Sequence, residues 1–472
     1  MSELEKNNSE EEDIYFDSVD GVQSTTVIAD SELLDDIEEL LHADARAALL
    51  NILTDLHSAD IASIINELPR EAGRQLFELL PSEEASEVLL DLHENVREDL
   101  FEELSAKRLS EIVDELDSDD AVDIVSEMDE DVAEQVLQEL EPEDSAELRE
   151  LLSYDEDTAG GLMATEFPTV LLSGSVADAI DAVRNTAEDT PDIYEVYVVD
   201  EDGSMRGIVD LKNLLLVKPH ISIADIYDPE VISVRTDVDQ EDVANVMRKY
   251  DLLTLPVVNQ DNQPVGIITF DDIADVIHEE AQEDIQRMSG IMEDSDTSSS
   301  ILDIFRGRLP WLLVAFAGEL LAAVVLSSFE KQISLVLMSA FFIPIIMAMG
   351  GNSGIQASSI VVRGLATGEL ALSRTFRRLS REFFAALLNG TILSLLLFAV
   401  VYFWVGDALF GLTVCLSLLV VITNATLVGA TVPVLLDRMN IDPALATGPF
   451  ITTTNDALGL FIYLGFLTVI YL

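Results

Sequence analysis

The sequence predicts a multidomain protein with an all-α superhelical N-terminal domain, an α/β region of two repeats and an all-α bundle of five transmembrane helices. Three observations carry this prediction. Short amphipathic segments follow one another over residues 31–152, β-branched runs alternate with helical patterns over residues 153–280, and five long apolar stretches follow Ile301. A chain of 472 residues is also long enough for about three domains.

Charge is divided unequally along the chain. Of its 89 acidic and 25 basic residues, nine of each follow Ile301, so the first 300 residues hold 80 acids and 16 bases and carry the whole net charge of −64. Such a surface repels nucleic acid, which we exclude as a partner. An acidic, lysine-poor surface of this kind suits the salt-loaded cytosol of a halophile. We hold that habitat as a hypothesis and expect the acidic half to loosen at low salt.

Residues 1–30 contain neither a basic n-region nor an apolar segment, so we do not expect a secretory signal there. Their acidic composition predicts a disordered leader. Residues 31–152 then predict a stacked helical superhelix. Apolar residues recur at helical spacing, as in Ile61, Ile64 and Leu68, and turn signals recur roughly every 12 residues. Serine and aspartate at the breaks supply helix N-caps.

Residues 153–280 contain an internal repeat. The segment Val198–Val209 matches Val257–Ile268 at a distance of 59 residues, and the first copy carries a small insertion at Ala187–Asp192. Each copy predicts the order strand, helix, strand, strand, helix. This pattern resembles a tandem pair of CBS domains, a family of nucleotide-binding or ion-sensing modules.

The nucleotide signature of CBS domains is present in the second copy as Thr269 and Asp272. The first copy has Asp210 and Asn213 at the matching positions. The resemblance therefore implies ATP or another adenosine nucleotide as a candidate ligand at Thr269 and Asp272, and the first copy departs from the signature.

Residues 281–305 are predicted to connect the repeats to the membrane bundle. A helical pattern dense in carboxylates extends over Ile273–Gly290, and a Ser/Asp-rich linker follows at Glu293–Ser300. A charge run is typical of a solvated helix face. Because this helix lies between a regulatory module and a membrane bundle, a functional role is as well supported as a solvated face.

Residues 306–472 predict a transmembrane domain. Each apolar stretch has about 19 residues or more, enough to cross roughly 30 Å of hydrocarbon. The five stretches are Pro310–Ser328, Ile333–Ile360, Phe383–Trp404, Gly411–Leu436 and Pro449–Leu472. Arginine is concentrated before the first span, between the second and third and between the fourth and fifth. The positive-inside rule then places the N-terminus in the cytoplasm and the C-terminus outside the plasma membrane.

Two acids lie within the predicted spans, where a charge is costly and indicates function. Asp456 follows a run of oxygen-bearing residues, Thr452–Asn455, in the last span, which favours ion binding. Glu319 lies midway along the first span. For Glu319, a role in the ion path and a protonated, packed carboxyl remain equally open.

The glycine-rich segment Met349–Gln356 is predicted to interrupt the second span, because three glycines in five residues weaken a helix. Exposed backbone would then line a watery path. The alternative is close packing of helices through small residues. The candidates for residues that line the pore are Gly351, Asn352, Gln356, Thr452 and Asn455.

The order of these parts resembles the MgtE family of magnesium channels and transporters. The motifs that carry the resemblance include Gly350–Gln356, Arg363–Glu369 and Asp442–Asp456. The resemblance implies a non-enzymatic homodimer in the lipid bilayer, with a pore on its two-fold axis, where the acid that matches Asp456 binds a hydrated Mg²⁺. The coordination chemistry of Mg²⁺ is consistent with such a site, because Mg²⁺ keeps several of its water ligands and is bound by few carboxylates.

The resemblance also implies a cytosolic sensor in which Mg²⁺ bridges acids and closes the channel that imports it. The matching positions are Asp119, Asp123, Asp239, Asp251, Asp272, Asp275, Glu280, Glu283 and Asp284. Two alternatives remain open. One is transport of another divalent cation such as Co²⁺ or Ni²⁺, which the lack of histidine in the spans disfavours. The other is a membrane sensor that conducts no ion.

Overall fold

A computed structural model describes residues 31–43, 45–54, 56–187, 190, 193–290, 301–366, 375–439, 441–446 and 448–472. The predicted leader, the linker Glu293–Ser300 and parts of two other predicted features, Ala187–Asp192 and Arg363–Glu369, lie outside the described residues. The chain divides into two compact units. One comprises the chain up to Glu156 with Gly160–Pro229, and the other comprises Asp157–Ala159 with Glu230–Leu472.

Short helices form the N-terminal part of the first unit, which confirms the all-α domain. Proline or serine precedes several of them, and the Ser105 hydroxyl accepts a hydrogen bond from the Arg108 amide at 3.3 Å as an N-cap. Their apolar faces are buried. Within the described residues the helices are α1 Ser31–His42, α2 Arg46–Leu53, α3 Ser58–Glu67, α4 Arg70–Phe77, α5 Ser82–Leu90, α6 Glu94–Glu103, α7 Ala106–Val113, α8 Ser118–Ser126, α9 Glu130–Glu139 and α10 Pro142–Leu151.

Arginines join helices of this domain that are two apart in the chain, α7 to α5 and α6 to α8. Arg108 donates to the Leu80 carbonyl at 2.6 Å and to the Ser82 hydroxyl at 2.7 Å, at the turn between α4 and α5. Arg97 donates to the Leu92 carbonyl at 2.7 Å and pairs with Glu127. Because helix ends leave carbonyls without intrahelical partners, these scarce bases satisfy groups that the stacked helices would otherwise bury unpaired.

The two repeats have the same topology, which confirms the predicted pair of CBS domains. In each three-stranded sheet the first strand is parallel to the second and the second is antiparallel to the third. A bulge follows Val198 in one sheet and Val257 in the other. The first repeat contains β1 Thr169–Leu171, α11 Val176–Thr186, β2 Glu195–Val199, β3 Met205–Asp210 and α12 Leu211–Leu216. The second contains β4 Val234–Arg235, α13 Gln240–Tyr250, β5 Thr254–Val258, β6 Pro264–Thr269 and α14 Phe270–Ser289.

Helix α14 is both the last helix of the second repeat and the predicted connecting helix. It continues through residue 280 without a break and ends at Gly290, which has a positive φ of 74°. Glycine adopts this left-handed conformation without the steric penalty of a side chain. A single rigid element therefore extends from the second repeat to the membrane part of the same unit.

Five helices of the second unit are long and apolar enough to cross a membrane, within the part of the chain that the structure describes. Asp407 caps the fourth span by accepting from the amides of Leu409 and Phe410 at 2.8 and 3.1 Å. The five helices that carry the spans are α15 Ile301–Ser328, α17 Ile343–Ala366, α18 Thr375–Val405, α19 Ala408–Asp437 and α20 Pro449–Phe466, and the short helix α16 Glu330–Leu335 follows the first of them. The predicted spans are thus confirmed.

The predicted interruption of the second span is wrong. Helix α17 continues through its glycines, which lie against other helices. A Cβ on Gly429 would lie 2.2 Å from the Gly354 carbonyl oxygen, and a Cβ on Gly350 would lie 3.0 Å from Val421. Close packing through small residues, the alternative weighed above, explains this motif.

Gly429→Ala should destabilise the membrane bundle, because the added methyl group overlaps the backbone of α17. Overpacking of this kind costs about 1–3 kcal/mol. Gly465→Ala is the matched control, since that position in α20 has nothing within 4 Å and alanine favours a helix. Thermal unfolding in detergent should show a lower midpoint for Gly429→Ala alone. Equal midpoints for both variants would contradict the contact.

Candidate metal sites

The acid of the last span is buried and paired. Asp456 lies in α20, which begins at Pro449, where the missing amide of proline is tolerated in the first turn. Its side chain is only 7% exposed, and its carboxyl is hydrogen-bonded to Glu319 of the first span. The two acids that the sequence singled out separately therefore form one carboxyl pair.

A glycine brings the first and last spans together at this pair. A Cβ on Gly318 would lie 2.4 Å from the Cβ of Thr453, so the helix backbones approach more closely than any other residue allows. Glu319 follows Gly318 directly and thereby reaches Asp456. Apart from this contact, Glu319 is exposed on the surface of the single chain. Sequence reasoning missed the contact, because nothing in either segment indicates that α15 packs on α20.

Asn455 lies inside the single chain rather than on its surface. It is 2% exposed, and neither its amide nitrogen nor its amide oxygen has a hydrogen-bond partner among the described residues. A Cβ on Gly354 would lie 2.2 Å from the amide nitrogen. A buried amide without partners costs free energy, so its retention here indicates a role other than packing.

The remaining predicted pore residues lie on two helices. Asn352 and Gln356 are one turn apart on α17 and both are exposed. Gly351 is buried, and a Cβ at this position would lie 3.8 Å from the methyl carbon of Thr452. Thr452 is half-buried and donates to the Gly448 carbonyl at 3.3 Å. A polar strip on a membrane helix thus remains uncovered in the single chain.

The second unit also gathers acids around α14, and we call Asp239, Glu241, Glu280, Asp284 and Asp442 the α14 acidic cluster. Burial raises the pKa of Glu241 to about 7, with Glu280 and Asp284 adding to the effect. Burial likewise raises the pKa of Asp284 to about 6, with Asp442 and Glu280 adding to it. The Gln240 amide donates to Glu280 at 2.7 Å. These acids repel one another and are poised to gain a proton or a cation.

The structure thus brings together three of the predicted sensor acids, Asp239, Glu280 and Asp284. It adds two that sequence reasoning did not assign, Glu241 and Asp442. Asp442 is the first residue of the motif Asp442–Asp456. The signal that would have found Glu241 is its place in the first turn of α13, beside the predicted ligand Asp239.

One arginine links the cluster to the membrane helices. Arg287 donates to Asp442 at 2.8 Å and pairs with Glu283 within α14. Next to it, a Cβ on Gly448 would lie 2.9 Å from the Met288 carbonyl oxygen. The end of α14 therefore contacts the residue that precedes α20.

The other predicted sensor acids have different surroundings. The Thr269 hydroxyl donates to Asp272 at 2.6 Å in a capping box at the start of α14, so the two candidate nucleotide ligands bind each other. Burial raises the pKa of Asp272. Asp275 is exposed, and Asp251 is exposed in a left-handed conformation that ends α13. Asp119 and Asp123 lie on α8 of the first unit.

Among the described residues, no group of three or more histidine, cysteine, aspartate or glutamate side chains has a geometry that could hold a metal ion. The carboxyl pair and the α14 acidic cluster are therefore arrangements of neighbouring acids rather than complete coordination shells. Mg²⁺ is commonly held by one or two carboxylates and several waters, so such pairs suit it better than a closed protein cage.

Comparison with known proteins decides the family. The family profile for MgtE, described as a divalent cation transporter, matches residues 343–466, and the profile for the MgtE intracellular N domain matches residues 56–157. The CBS domain profile matches residues 159–219 and 223–279. The magnesium transporter MgtE of Thermus thermophilus is 38% identical over 323 residues, which cover 68% of this chain and 71% of that protein.

The chain belongs to the MgtE family.

Other members of the family are also similar to this chain. The magnesium transporter MgtE of Bacillus subtilis is 35% identical over 67% of this chain and 70% of its own length. A crystal structure of the cytosolic domain of the Mg²⁺ channel MgtE in complex with ATP is 36% identical, covers 52% of this chain and 99% of that one, and has a TM-score of 0.49. Together with the five spans, membership places the chain in a membrane as a multi-pass protein.

Glu241→Gln should stabilise the second unit in a pH-dependent way. The raised pKa of Glu241 means that the folded protein binds more protons than the unfolded chain between the ordinary pKa and about 7. Stability contributed by the protonated form is therefore present at low pH and lost as the pH rises through about 7. Thermal unfolding should show a gain for Glu241→Gln that is largest near about pH 8 and shrinks toward about pH 5.

Glu139→Gln on the exposed surface of α9 is the control for this measurement. It removes the same charge from an acid outside the cluster, so its effect should not grow between the two pH values. A gain for Glu241→Gln that is equal at both pH values would contradict a raised pKa of this carboxyl.

Proposed function

We propose that this chain forms a homodimeric channel or transporter that imports Mg²⁺ across the plasma membrane. One observation carries the proposal. Asp456 is a buried carboxyl in the last span, and it is hydrogen-bonded to Glu319, the only other acid that lies midway along a span. Acids in lipid are retained for ion or proton paths. The MgtE relatives are named as magnesium transporters, which supports Mg²⁺ as the ion.

The dimer accounts for the uncovered polar strip. Asn352 and Gln356 on α17 are exposed in the single chain, and lipid offers no hydrogen bonds to such groups. A second copy packed about a two-fold axis would enclose this strip, together with Gly351 and Thr452, in a watery path. Two Asp456 carboxyls, one from each copy, then suit a cation that keeps its own waters.

The arginine distribution supports an orientation with the N-terminus in the cytoplasm and the C-terminus outside. In that orientation the α14 acidic cluster faces the cytoplasm. We propose that cytosolic Mg²⁺ binds there and relieves the repulsion among Glu241, Glu280 and Asp284, so that α14 is held against the start of α20. Low Mg²⁺ restores the repulsion and releases the last span.

The remaining assignments extend this proposal. Asp119, Asp123, Asp251, Asp272, Asp275 and Glu283 stay predictions for the sensor. ATP at Thr269 and Asp272 also stays a prediction, although a relative's cytosolic domain has been crystallised with ATP. Co²⁺ and Ni²⁺ are the alternative cargo, and they would favour histidine, which the chain lacks after residue 300. A sensor that conducts nothing is the other alternative.

Asp456→Asn should reduce Mg²⁺ flux into metal-free proteoliposomes by well over tenfold, because even loss of a residue that only orients a metal ligand costs roughly 10–100-fold. Asp437→Asn, at the end of α19 and outside the carboxyl pair, is the control and should transport like the wild type. Parallel assays with Co²⁺ and Ni²⁺ test the cargo. Wild-type Mg²⁺ flux through Asp456→Asn would refute the assignment, and no flux through the unmodified protein would favour the non-conducting sensor.

Neutralising Glu280 and Asp284 together, as Glu280→Gln with Asp284→Asn, should leave the channel insensitive to Mg²⁺ on its cytoplasmic side. The wild type should close as internal Mg²⁺ rises, because the cation replaces mutual repulsion with shared coordination. Flux at several internal Mg²⁺ levels measures this response. Glu139→Gln with Glu141→Gln, which removes two charges from exposed positions of the N-terminal domain, should close normally. Normal closure in the cluster variant would place the sensor elsewhere.

A further inference from the structure

We infer that Glu319 is a positioning residue of the ion path, whose hydrogen bond holds the Asp456 carboxyl in the orientation that meets the transported ion. This inference rests on the proposed function of Asp456. Within the described residues, Glu319 is the one side chain that hydrogen-bonds the Asp456 carboxyl. A carboxyl on a helix has several rotamers, and one fixed partner selects among them.

Local packing shows that this contact is built into the fold. Gly318 and Thr453 meet where a Cβ on the glycine would lie 2.4 Å from the threonine Cβ, so α15 and α20 are fixed one residue away from Glu319. Thr453 is itself only 9% exposed. The position of Glu319 relative to Asp456 is therefore set by the contact of two helix backbones rather than by a flexible side chain alone.

The needs of the cation favour positioning over direct ligation. Mg²⁺ requires near-octahedral geometry, sheds water reluctantly and is usually bound by one or two carboxylates. In the proposed dimer the two Asp456 side chains already supply two. Two further carboxylates from Glu319 would exceed what a hydrated Mg²⁺ takes, whereas a partner that orients an existing ligand is a common requirement of metal sites.

The test compares two substitutions of similar size. Glutamine both donates and accepts hydrogen bonds, so Glu319→Gln preserves a partner for Asp456 while removing the acid. Leucine has a similar volume and no polar atom, so Glu319→Leu removes the partner. We expect Glu319→Gln to transport Mg²⁺ nearly as the wild type does. Glu319→Leu should raise the half-saturating Mg²⁺ concentration by about tenfold, as expected for loss of a residue that orients a metal ligand.

Gly318→Ala provides a second route to the same readout. It retains both carboxyls but forces α15 away from α20 at Thr453. It should therefore raise the half-saturating concentration as Glu319→Leu does, and adding Glu319→Gln to it should not restore transport. Glu330→Gln and Glu330→Leu, at an exposed site beyond the first span, are matched controls and should leave transport unchanged. The elution volume in detergent shows that each variant is folded before flux is measured.

Several outcomes would overturn the inference. Equal loss of transport in Glu319→Gln and Glu319→Leu would make the charge of Glu319 essential and assign it as a ligand. Wild-type transport in both would remove Glu319 from the ion path. The failure of the proposed function is distinguishable from either, because Asp456→Asn would then transport Mg²⁺ whatever the Glu319 variants do.

Discussion

The cost of placing a carboxyl inside a membrane helix is the constraint on which the bundle depends. Water forms hydrogen bonds with a carboxyl group, whereas hydrocarbon forms none, so burying the group in a membrane costs free energy unless the protein supplies a partner. In this chain the Asp456 carboxyl is hydrogen-bonded to Glu319, and this hydrogen bond requires the first span to approach the last span closely at Gly318. The backbone contact at Gly318 fixes the position of α15, which otherwise has little of its surface buried, and thereby allows the pairing.

Small residues fix the helix that bears Asp456 on its other side as well. Lipid chains are as apolar as leucine, so membrane helices associate through close packing rather than through the hydrophobic effect. Gly354 of α17 lies against Gly429 of α19 and beside Asn455 of α20. Three helices thus meet at one level of the bundle through backbone and a single amide. Asn455 is held inside this junction, next to Asp456 in sequence, and its amide has no partner within the described part of the chain.

The helices and strands could be predicted from local sequence patterns. The sites could be predicted only in part, because they depend on contacts between distant parts of the chain. Long apolar runs and a 59-residue repeat suffice to place spans and strands, and the oxygen-rich run before Asp456 predicts an ion-binding helix. The glycine-rich segment Met349–Gln356 led to the wrong prediction of a break in the second span. Glycine weakens a helix in water but lets helices pack closely in a membrane. The pairing of Glu319 with Asp456 and of Arg287 with Asp442 joins residues more than a hundred positions apart, and no local signal reports such contacts.

The second unit provides a short path from its acids to α20, the helix that carries Asp456. Arg287 is the cation that ties α14 to Asp442, and it also pairs with Glu283, so it neutralises only part of the surrounding charge. Burial is the main cause of the raised pKa values of Glu241 and Asp284, and the neighbouring acids add to it. Helix α14 is continuous, and its end contacts Gly448 at the start of α20, so the proposed change in repulsion would be transmitted by a rigid element. Asp456 lies about two helical turns further along α20. In the proposed mechanism, a cation bound among the acids would act on Asp456 through one helix and one backbone contact.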